Sequence, residues 1–161
     1  MELELANKII KNEHYRRLLD ELKELERDRI FCRHDLEHFM NVARIAMIMC
    51  SENGADAEPD IIYSAALLHY IGRVEEYKTG VPHDIAGVKT ASDILDDIGC
   101  ESIKKDGILK LIASHHCVSD DKTIIEEIFY RADKKSRLCF DCKAQKECKW
   151  SDEKRNNEIG V

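Results

Sequence analysis

Histidine and aspartate side chains recur along this chain beside apolar residues, where they can act as metal ligands. The seven histidines are spread over most of its length: His14, His34, His38, His69, His83, His115 and His116. His69 ends the most apolar run, Ala65-Ala66-Leu67-Leu68, where a buried imidazole needs a partner. Asp133 adjoins another apolar stretch, and imidazole with carboxylate is a donor set for zinc, iron, manganese or nickel. A lone histidine is usually solvated and has no specific role, but that explanation would have to hold separately for each of the stretches that contain a histidine. We therefore predict a metal site between helices.

Three cysteines near the end of the sequence form a second candidate metal site. Cys139-x-x-Cys142-x5-Cys148 has the close thiolate spacing of zinc and iron–sulfur ligands, and it supplies three of the four thiolates that such a site needs. The chain has seven cysteines, an odd number, and no export signal, which argues against a disulfide framework. The alternative is that these are three unrelated free thiols.

The predicted fourth thiolate is Cys32, with Cys117 in reserve. Cys32 lies six residues before His38, and Cys139 lies six residues after Asp133. Each offset is about 9 Å along a helix. If the helices that carry His38 and Asp133 pack antiparallel, Cys32 and Cys139 are displaced in the same direction, and Cys32 faces the three C-terminal cysteines.

The composition is that of one globular domain without a basic surface. Of 161 residues, 43% are hydrophobic and 35% charged, and only two prolines and seven glycines are available for turns. The net charge of −7 argues against polymeric nucleic acid as the main partner, but it leaves open a small phosphorylated ligand such as a nucleotide. With no long apolar run and a charged start, we expect no membrane span, no signal peptide and a cytoplasmic protein.

Apolar residues at three- and four-residue steps predict the helices that would carry these side chains. The predicted helices cover residues 4–27, 35–50, 59–72, 84–97, 102–116 and 122–137. The third is apolar nearly all round and should be central. Residues 73–82 are predicted to be the longest loop. The fold class is therefore all-α.

Five segments, in this order, resemble the HD-domain superfamily of all-helical, metal-dependent phosphohydrolases. They are His38-Phe39-Met40-Asn41-Val42-Ala43, Ala65-Ala66-Leu67-Leu68-His69-Tyr70-Ile71-Gly72-Arg73, His83, Ile112-Ala113-Ser114-His115-His116 and Ala132-Asp133-Lys134. The similarity covers residues 30–137 and looks closest to small bacterial HD proteins with extra histidines, including those that hydrolyse diadenosine tetraphosphate. It implies an HD-domain-like bundle of about six to seven helices. Residues 1–29 would pack on the core as an N-terminal helix, 30–137 would bind the metal, and 138–161 would be a cysteine-containing extension of the same domain.

The resemblance also implies a ligand set, with one departure from the family pattern. His38, His69 and Asp133 match the ligands that the superfamily shares, and His83 and His115 match two additional ligands of its dinuclear members. The dyad aspartate of the family is Tyr70 here. A phenol has a pKa of about 10 and is a poor ligand at neutral pH unless a strong Lewis acid ionises it. Residues that could substitute for the missing aspartate or support the other ligands are His34, Asp35, Tyr70, Asp84 and His116.

The function implied by the resemblance is hydrolysis of a nucleotide or another small phosphoester by a metal-activated water. Asp133, His69 and Arg73 would be catalytic, and Arg73, Lys134 and Arg137 would bind phosphate, although a solvated face is the simpler explanation of any one cation. The loop at 79–82 would act as a lid. Two other classes stay open: a non-catalytic metal, redox or nucleotide sensor, which Tyr70 favours, and an iron-dependent oxygenase. A homodimer is a candidate assembly.

Overall fold

The fold is all-helical throughout the residues that the structure, a computed structural model, describes, namely 2–115 and 121–160. It consists there of eight α-helices followed by a short 3₁₀ helix at Cys139–Asp141. The α-helices are α1 (Glu4–Lys11), α2 (Glu13–Leu25), α3 (Leu36–Glu52), α4 (Pro59–Leu68), α5 (Arg73–Thr79), α6 (His83–Asp97), α7 (Ser102–Ser114) and α8 (Ile124–Lys135). The all-α bundle predicted from the sequence is confirmed. None of these helices combines the length and the hydropathy needed to cross a membrane.

Two predicted elements differ from the structure. The single helix predicted over 4–27 is divided at Asn12, whose side chain accepts a hydrogen bond from the Tyr15 N–H at 2.9 Å and so caps α2. The predicted loop at 73–82 contains α5, which ends at Gly80 with a positive φ of 80°. This helix is too short for an apolar period to show, and among its residues only Val74 is buried.

Helix α4 is the centre of the bundle, as its continuous apolar sequence predicted. It packs against α1, α3 and α7, and α3 also packs against α8. Ile62, Ala65, Leu67 and Leu68 are each at most 1% exposed, so this helix is buried on all sides. Because such a helix has no solvated face, its C-terminal end can place His69 deep inside the protein.

The first two helices are tied to the bundle by polar contacts. The carboxylate of Asp60, in the first turn of α4, accepts hydrogen bonds from the backbone N–H groups of Leu5 and Ala6 at 2.8 and 2.9 Å. These are donors that the first turn of α1 cannot satisfy within its own helix. The Asn12 side-chain amide donates to Asp97 at 2.5 Å. Helix α2 packs against α5.

Helices α5 and α6 begin in close contact at two glycines. A Cβ atom added to Gly72 would overlap the carbonyl oxygen of His83 and lie 2.6 Å from the Cα of Gly87. Only glycine permits this approach. It places Arg73 and His83 next to the C-terminal end of α4, on the side of the bundle where His69 lies.

Candidate metal centre

Three buried side chains from α3, the end of α4 and α8 meet in one place. The Nε2 atoms of His38 and His69 lie 3.3 and 3.6 Å from Oδ1 of Asp133. His69 and Asp133 are fully buried and His38 is 7% exposed. Among the described residues, this is the one group of three or more histidine, cysteine, aspartate or glutamate side chains whose ligand atoms all lie within 4.8 Å of one another.

Hydrogen bonds to Nδ1 determine which ring nitrogen of these histidines can bind a metal. The Nδ1 of His69 lies 2.7 Å from the Ala66 carbonyl oxygen, which can only accept, so this nitrogen carries the proton. The Nδ1 of His115 makes the same contact with the Ile112 carbonyl oxygen. In both rings Nε2 therefore holds a lone pair when the imidazole is neutral.

A serine holds His38 in the same tautomer, with the proton on Nδ1. Its Nδ1 lies 3.1 Å from Oγ of Ser136, and that hydroxyl donates a hydrogen bond to the Asp133 carbonyl oxygen at 2.7 Å. Ser136 must then accept from His38, which leaves Nε2 unprotonated. Burial lowers the pKa of His38 to about 4, so the ring is neutral at pH 7.

These lone pairs face an ionised carboxylate. Burial alone would raise the pKa of Asp133, but the proximity of the His38 and His69 rings and the charges of Arg137 and Lys134 hold it well below its usual range. The Nε2 atoms of His38 and His69 are buried and have no hydrogen-bond partner among the described residues. Two lone pairs and an anion in mutual contact repel one another unless a cation lies between them, so this donor set fits a divalent metal.

Tyr70 lies at the centre of the other predicted ligands. Its ring centroid is 4.0 Å from that of His34 and between 4.5 and 5.7 Å from those of His38, His69, His83 and His115. Burial raises the pKa of Tyr70, and the charge of Asp133 raises it further, so the residue is a neutral phenol. The structure thus gathers the five described histidines of residues 30–137 around the position where the family has its aspartate.

His34 and His83 are each held by a glutamate that the sequence reasoning missed. The Nδ1 of His34 lies 2.6 Å from Glu26, and the Nδ1 of His83 lies 2.9 Å from Glu76. Burial lowers the pKa of His34 to about 3 and also lowers that of His83, so both rings are neutral. Carboxylates that orient histidines in this way are a recurring feature of metal sites. Glu76 lies in α5 and His83 begins α6, so no helical spacing in the sequence links the two residues.

The remaining predicted substitutes lie apart from the three-ligand group. Asp35 caps α3 by accepting the His38 N–H at 2.9 Å, and Asp84 accepts the N–H of Ile85 at 3.0 Å. Neither carboxylate belongs to the group of converging ligand atoms. His116 and Cys117 lie outside the described residues. Their roles, like those of the other predicted site residues, stay predictions.

Comparison with known proteins agrees with this geometry. The sequence model of the HD domain matches residues 35–138. The chain belongs to the HD-domain family. An uncharacterized protein of Clostridium beijerinckii is 37% identical over 153 residues, which cover 95% of this chain and 96% of that protein. The crystal structure of a predicted HD superfamily hydrolase from an uncultured Thermotogales bacterium matches with a TM-score of 0.60 and 27% identity, over 89% of this chain and 82% of that one.

A cavity of about 510 Å³ adjoins the metal-binding end of this HD domain. Tyr70 and Arg137 line the cavity and also contact the ligand group, since Arg137 lies 3.2 Å from Asp133 Oδ1 and 3.4 Å from the Tyr70 hydroxyl. Lys134, also in the lining, lies 2.5 Å from Asp133 Oδ2. Arg73 donates to Glu76 at 2.7 Å and to the Tyr77 hydroxyl at 3.0 Å. The three predicted phosphate-binding residues therefore share one cavity.

The lining of the cavity is rich in cations although the chain is acidic. Its described lining contains no aspartate or glutamate. It does contain six cations: Arg29, Arg73, Lys134, Arg137, Lys149 and Arg155. Half of them, namely Arg29, Lys149 and Arg155, lie outside residues 30–137, and nothing in the sequence indicated that they would line the cavity. Only the fold brings the loop before α3 and the segment after α8 to one wall.

The four predicted cysteine ligands line the same cavity. They are Cys32, Cys139, Cys142 and Cys148, of which Cys139 is buried and the others are half-buried. Burial raises the pKa of the Cys32 thiol, Arg137 opposes this, and the proximity of Cys139 and Cys142 adds to it. Cys32 is thus close to the C-terminal cysteines, in the arrangement that antiparallel packing of α3 and α8 would produce.

Proposed function

We propose that this HD domain is a metal-dependent phosphohydrolase that acts on a nucleotide or another small phosphoester. The observation that carries the proposal is the junction of the His38–His69–Asp133 group with a cavity that has six cations and no described acid. The ligand group suits a divalent metal, and the cavity suits an anion. A phosphate ester beside a metal is the ligand class that satisfies both.

The size and lining of the cavity favour a nucleotide over a bare phosphate. A volume of about 510 Å³ is within the range of sites for drug-sized ligands. Phe31 and Trp150 also line it, and aromatic faces can stack with a base while cations bind the phosphates. Lys134 and Arg137 contact Asp133, and Arg73 contacts Glu76, the partner of His83. These three cations would neutralise the oxygens of the phosphate that is cleaved.

The residues of the chain would divide the chemistry among them. His38, His69 and Asp133 would hold the metal, which when bound lowers the pKa of a water and polarises a phosphoryl oxygen. Ser136, Ala66 and the glutamates at 26 and 76 keep the imidazole rings in one orientation and one tautomer. Burial of the ligands keeps bulk water from competing with the substrate.

A non-catalytic sensor of metal or nucleotide is the second candidate, and Tyr70 favours it. The phenol stands between the cavity and His69, with ring centroids 4.5 Å apart, and His69 itself has no exposed surface. Arg137 and Lys134 already give Asp133 two cationic partners. In this reading the anion and the metal would bind without turnover.

The deciding experiment compares wild type, His69→Ala and Tyr70→Asp, with His14→Ala as the control for loss of a histidine outside the ligand group. Each protein is purified without oxygen, its metal content is measured, and it is tested against a panel of phosphomonoesters, nucleotides and dinucleotides. Turnover in wild type and His14→Ala that is lost in His69→Ala supports the hydrolase. Turnover that arises only in Tyr70→Asp supports the sensor. Oxygen consumption by the iron-loaded protein without phosphoester turnover would instead indicate the oxygenase.

A further inference from the structure

The four cysteines of the cavity wall lie in two segments outside the α-helices: the loop before α3 and the segment after α8. Cys139 lies in the 3₁₀ helix, and the Cys142 N–H donates to its carbonyl oxygen at 3.1 Å, so one tight turn carries both thiols. A second turn joins Cys148 to Gln145, with an N–H to carbonyl distance of 3.3 Å. Cys32 lies in the loop between α2 and α3. None of the four forms a disulfide.

The backbone around these cysteines is held by side chains rather than by helix packing. Gln145 donates from its amide to the Cys139 carbonyl oxygen, and Arg155 donates to the Gln145 carbonyl oxygen at 2.9 Å. Arg29 donates to the Cys32 carbonyl oxygen at 2.8 Å.

Little apolar surface supports this region. Among the described residues beyond the 3₁₀ helix only Ala144 is buried, and within that helix Phe140 is 43% exposed. A segment ordered with so little buried apolar surface is typical of a cross-linked or metal-bound one.

The spacing of the sulfurs favours a multi-atom centre over a single zinc ion. Four thiolates around one zinc, at about 2.3 Å each, would place the sulfurs about 3.8 Å apart. No three of the described cysteine sulfurs lie within 4.8 Å of one another, although all four line one cavity. An iron–sulfur cluster needs this wider arrangement, because its own iron and sulfide atoms stand between the ligand thiolates. Arg29, Arg137 and Arg155 beside them suit the negative charge of such a centre.

We infer that Cys32, Cys139, Cys142 and Cys148 ligate an iron–sulfur cluster in the wall of the cavity. The cluster joins the loop before α3 to the segment after α8 and thereby fixes Trp150, Lys149 and Arg155 beside the histidine site. It is separate from the metal of His38, His69 and Asp133 and does not depend on the proposed hydrolysis.

The test measures iron, acid-labile sulfide and zinc per chain in the full-length protein, purified without oxygen, together with its visible absorption. We expect acid-labile sulfide, at least as much iron as sulfide, and a broad visible absorption that bleaches on reduction with dithionite. A His69→Ala background removes iron that the histidine site would contribute, and there the sulfide content should be unchanged. Wild-type protein with zinc alone, or with no metal and no sulfide, overturns the proposal whatever its phosphoester activity.

The ligand assignment is tested with single serine variants. Cys32→Ser and Cys142→Ser should each lower the sulfide content at least severalfold, whereas Cys100→Ser, a half-buried thiol on another part of the bundle, should leave it unchanged. A cluster that persists undiminished in Cys32→Ser would overturn the assignment of the fourth ligand. The helical circular dichroism spectrum of each variant identifies any that fails to fold. For such a variant, Cys32→Asp, which keeps a potential ligand, should restore part of the iron.

Discussion

The hydroxyl of Ser136 lies 3.1 Å from Nδ1 of His38 and donates a hydrogen bond to the Asp133 carbonyl oxygen at 2.7 Å. One serine thus links the histidine from α3 to the aspartate from α8. The contact fixes the tautomer of His38 and the direction of its lone pair. Ser136 lies one helical turn beyond Asp133, on the same face of the chain.

Ser136→Ala should weaken metal binding without unfolding the protein. Removing the support of a metal-binding histidine typically lowers metal affinity roughly 10–100-fold. Isothermal titration of metal-free protein with Mn²⁺ or Zn²⁺ measures the effect. Ser114→Ala is the matched control, because the Ser114 hydroxyl also donates to a carbonyl three residues earlier, that of Leu111, at 3.1 Å. Equal affinities for the two variants would mean that Ser136 does not orient His38.

Removing the metal should lower the melting temperature of wild type but not of His69→Ala. A ligand that binds only the folded state stabilises it by mass action, about 2.7 kcal/mol at a concentration 100 times its dissociation constant. Differential scanning calorimetry with and without a chelator measures the shift. A shift of the same size in both proteins would locate the stabilising metal outside the histidine group, for example at the cysteines.

Gly72→Ala should destabilise the protein by several kcal/mol and displace His83. The added methyl group would overlap the His83 carbonyl oxygen and the Gly87 backbone, neither of which can move without separating α5 from α6. Gly107→Ala is the contrasting control. Its Cβ would lie 3.5 Å from Ile61 in ordinary contact, and inside α7 alanine should stabilise by about 0.5–1 kcal/mol. Urea unfolding of both variants tests whether the two substitutions change the free energy of unfolding in opposite directions.

The metal-free protein should lose stability as the pH falls from 6.5 toward 3. Burial lowers the pKa of His34 from 6.5 to about 3, so in this window the unfolded chain binds a proton that the folded protein excludes. The free energy of unfolding therefore rises with pH across the window and falls as acid is added, by an amount on the order of a few kcal/mol. His34→Gln, which can still donate to Glu26, should flatten this dependence. Parallel pH profiles for the two proteins would exclude His34 as the cause.

Asp60→Ala should destabilise the protein by about 1–3 kcal/mol. It removes the acceptor of two buried N–H groups at the start of α1 and leaves them unpaired. Asp56→Ala changes an exposed aspartate just before α4 and should have an effect within about 0.5 kcal/mol. If the two variants unfold at the same denaturant concentration, α1 is not held by Asp60.

The sequence predicted the helices with a clear apolar period and the three converging side chains inside the family segments, namely His38, His69 and Asp133. It did not predict α5, because seven residues between two glycines show no period. It also did not predict the division at Asn12, where a polar residue within a helical pattern became a cap. The partners Glu26 and Ser136 were not foreseen, because a hydrogen bond to a histidine leaves no pattern in spacing. Their roles became visible only when the fold placed the loop before α3 and the end of α8 together.

The collection of six cations in one cavity has a kinetic consequence for a chain whose net charge is −7. The net charge repels a small anion that approaches the chain, whereas the cations of the cavity lining attract one that approaches the cavity. Such focusing raises the association rate constant rather than lengthening the lifetime of the complex. Added salt, which shortens the range of both potentials, should therefore slow the capture of a nucleotide far more than it speeds its release.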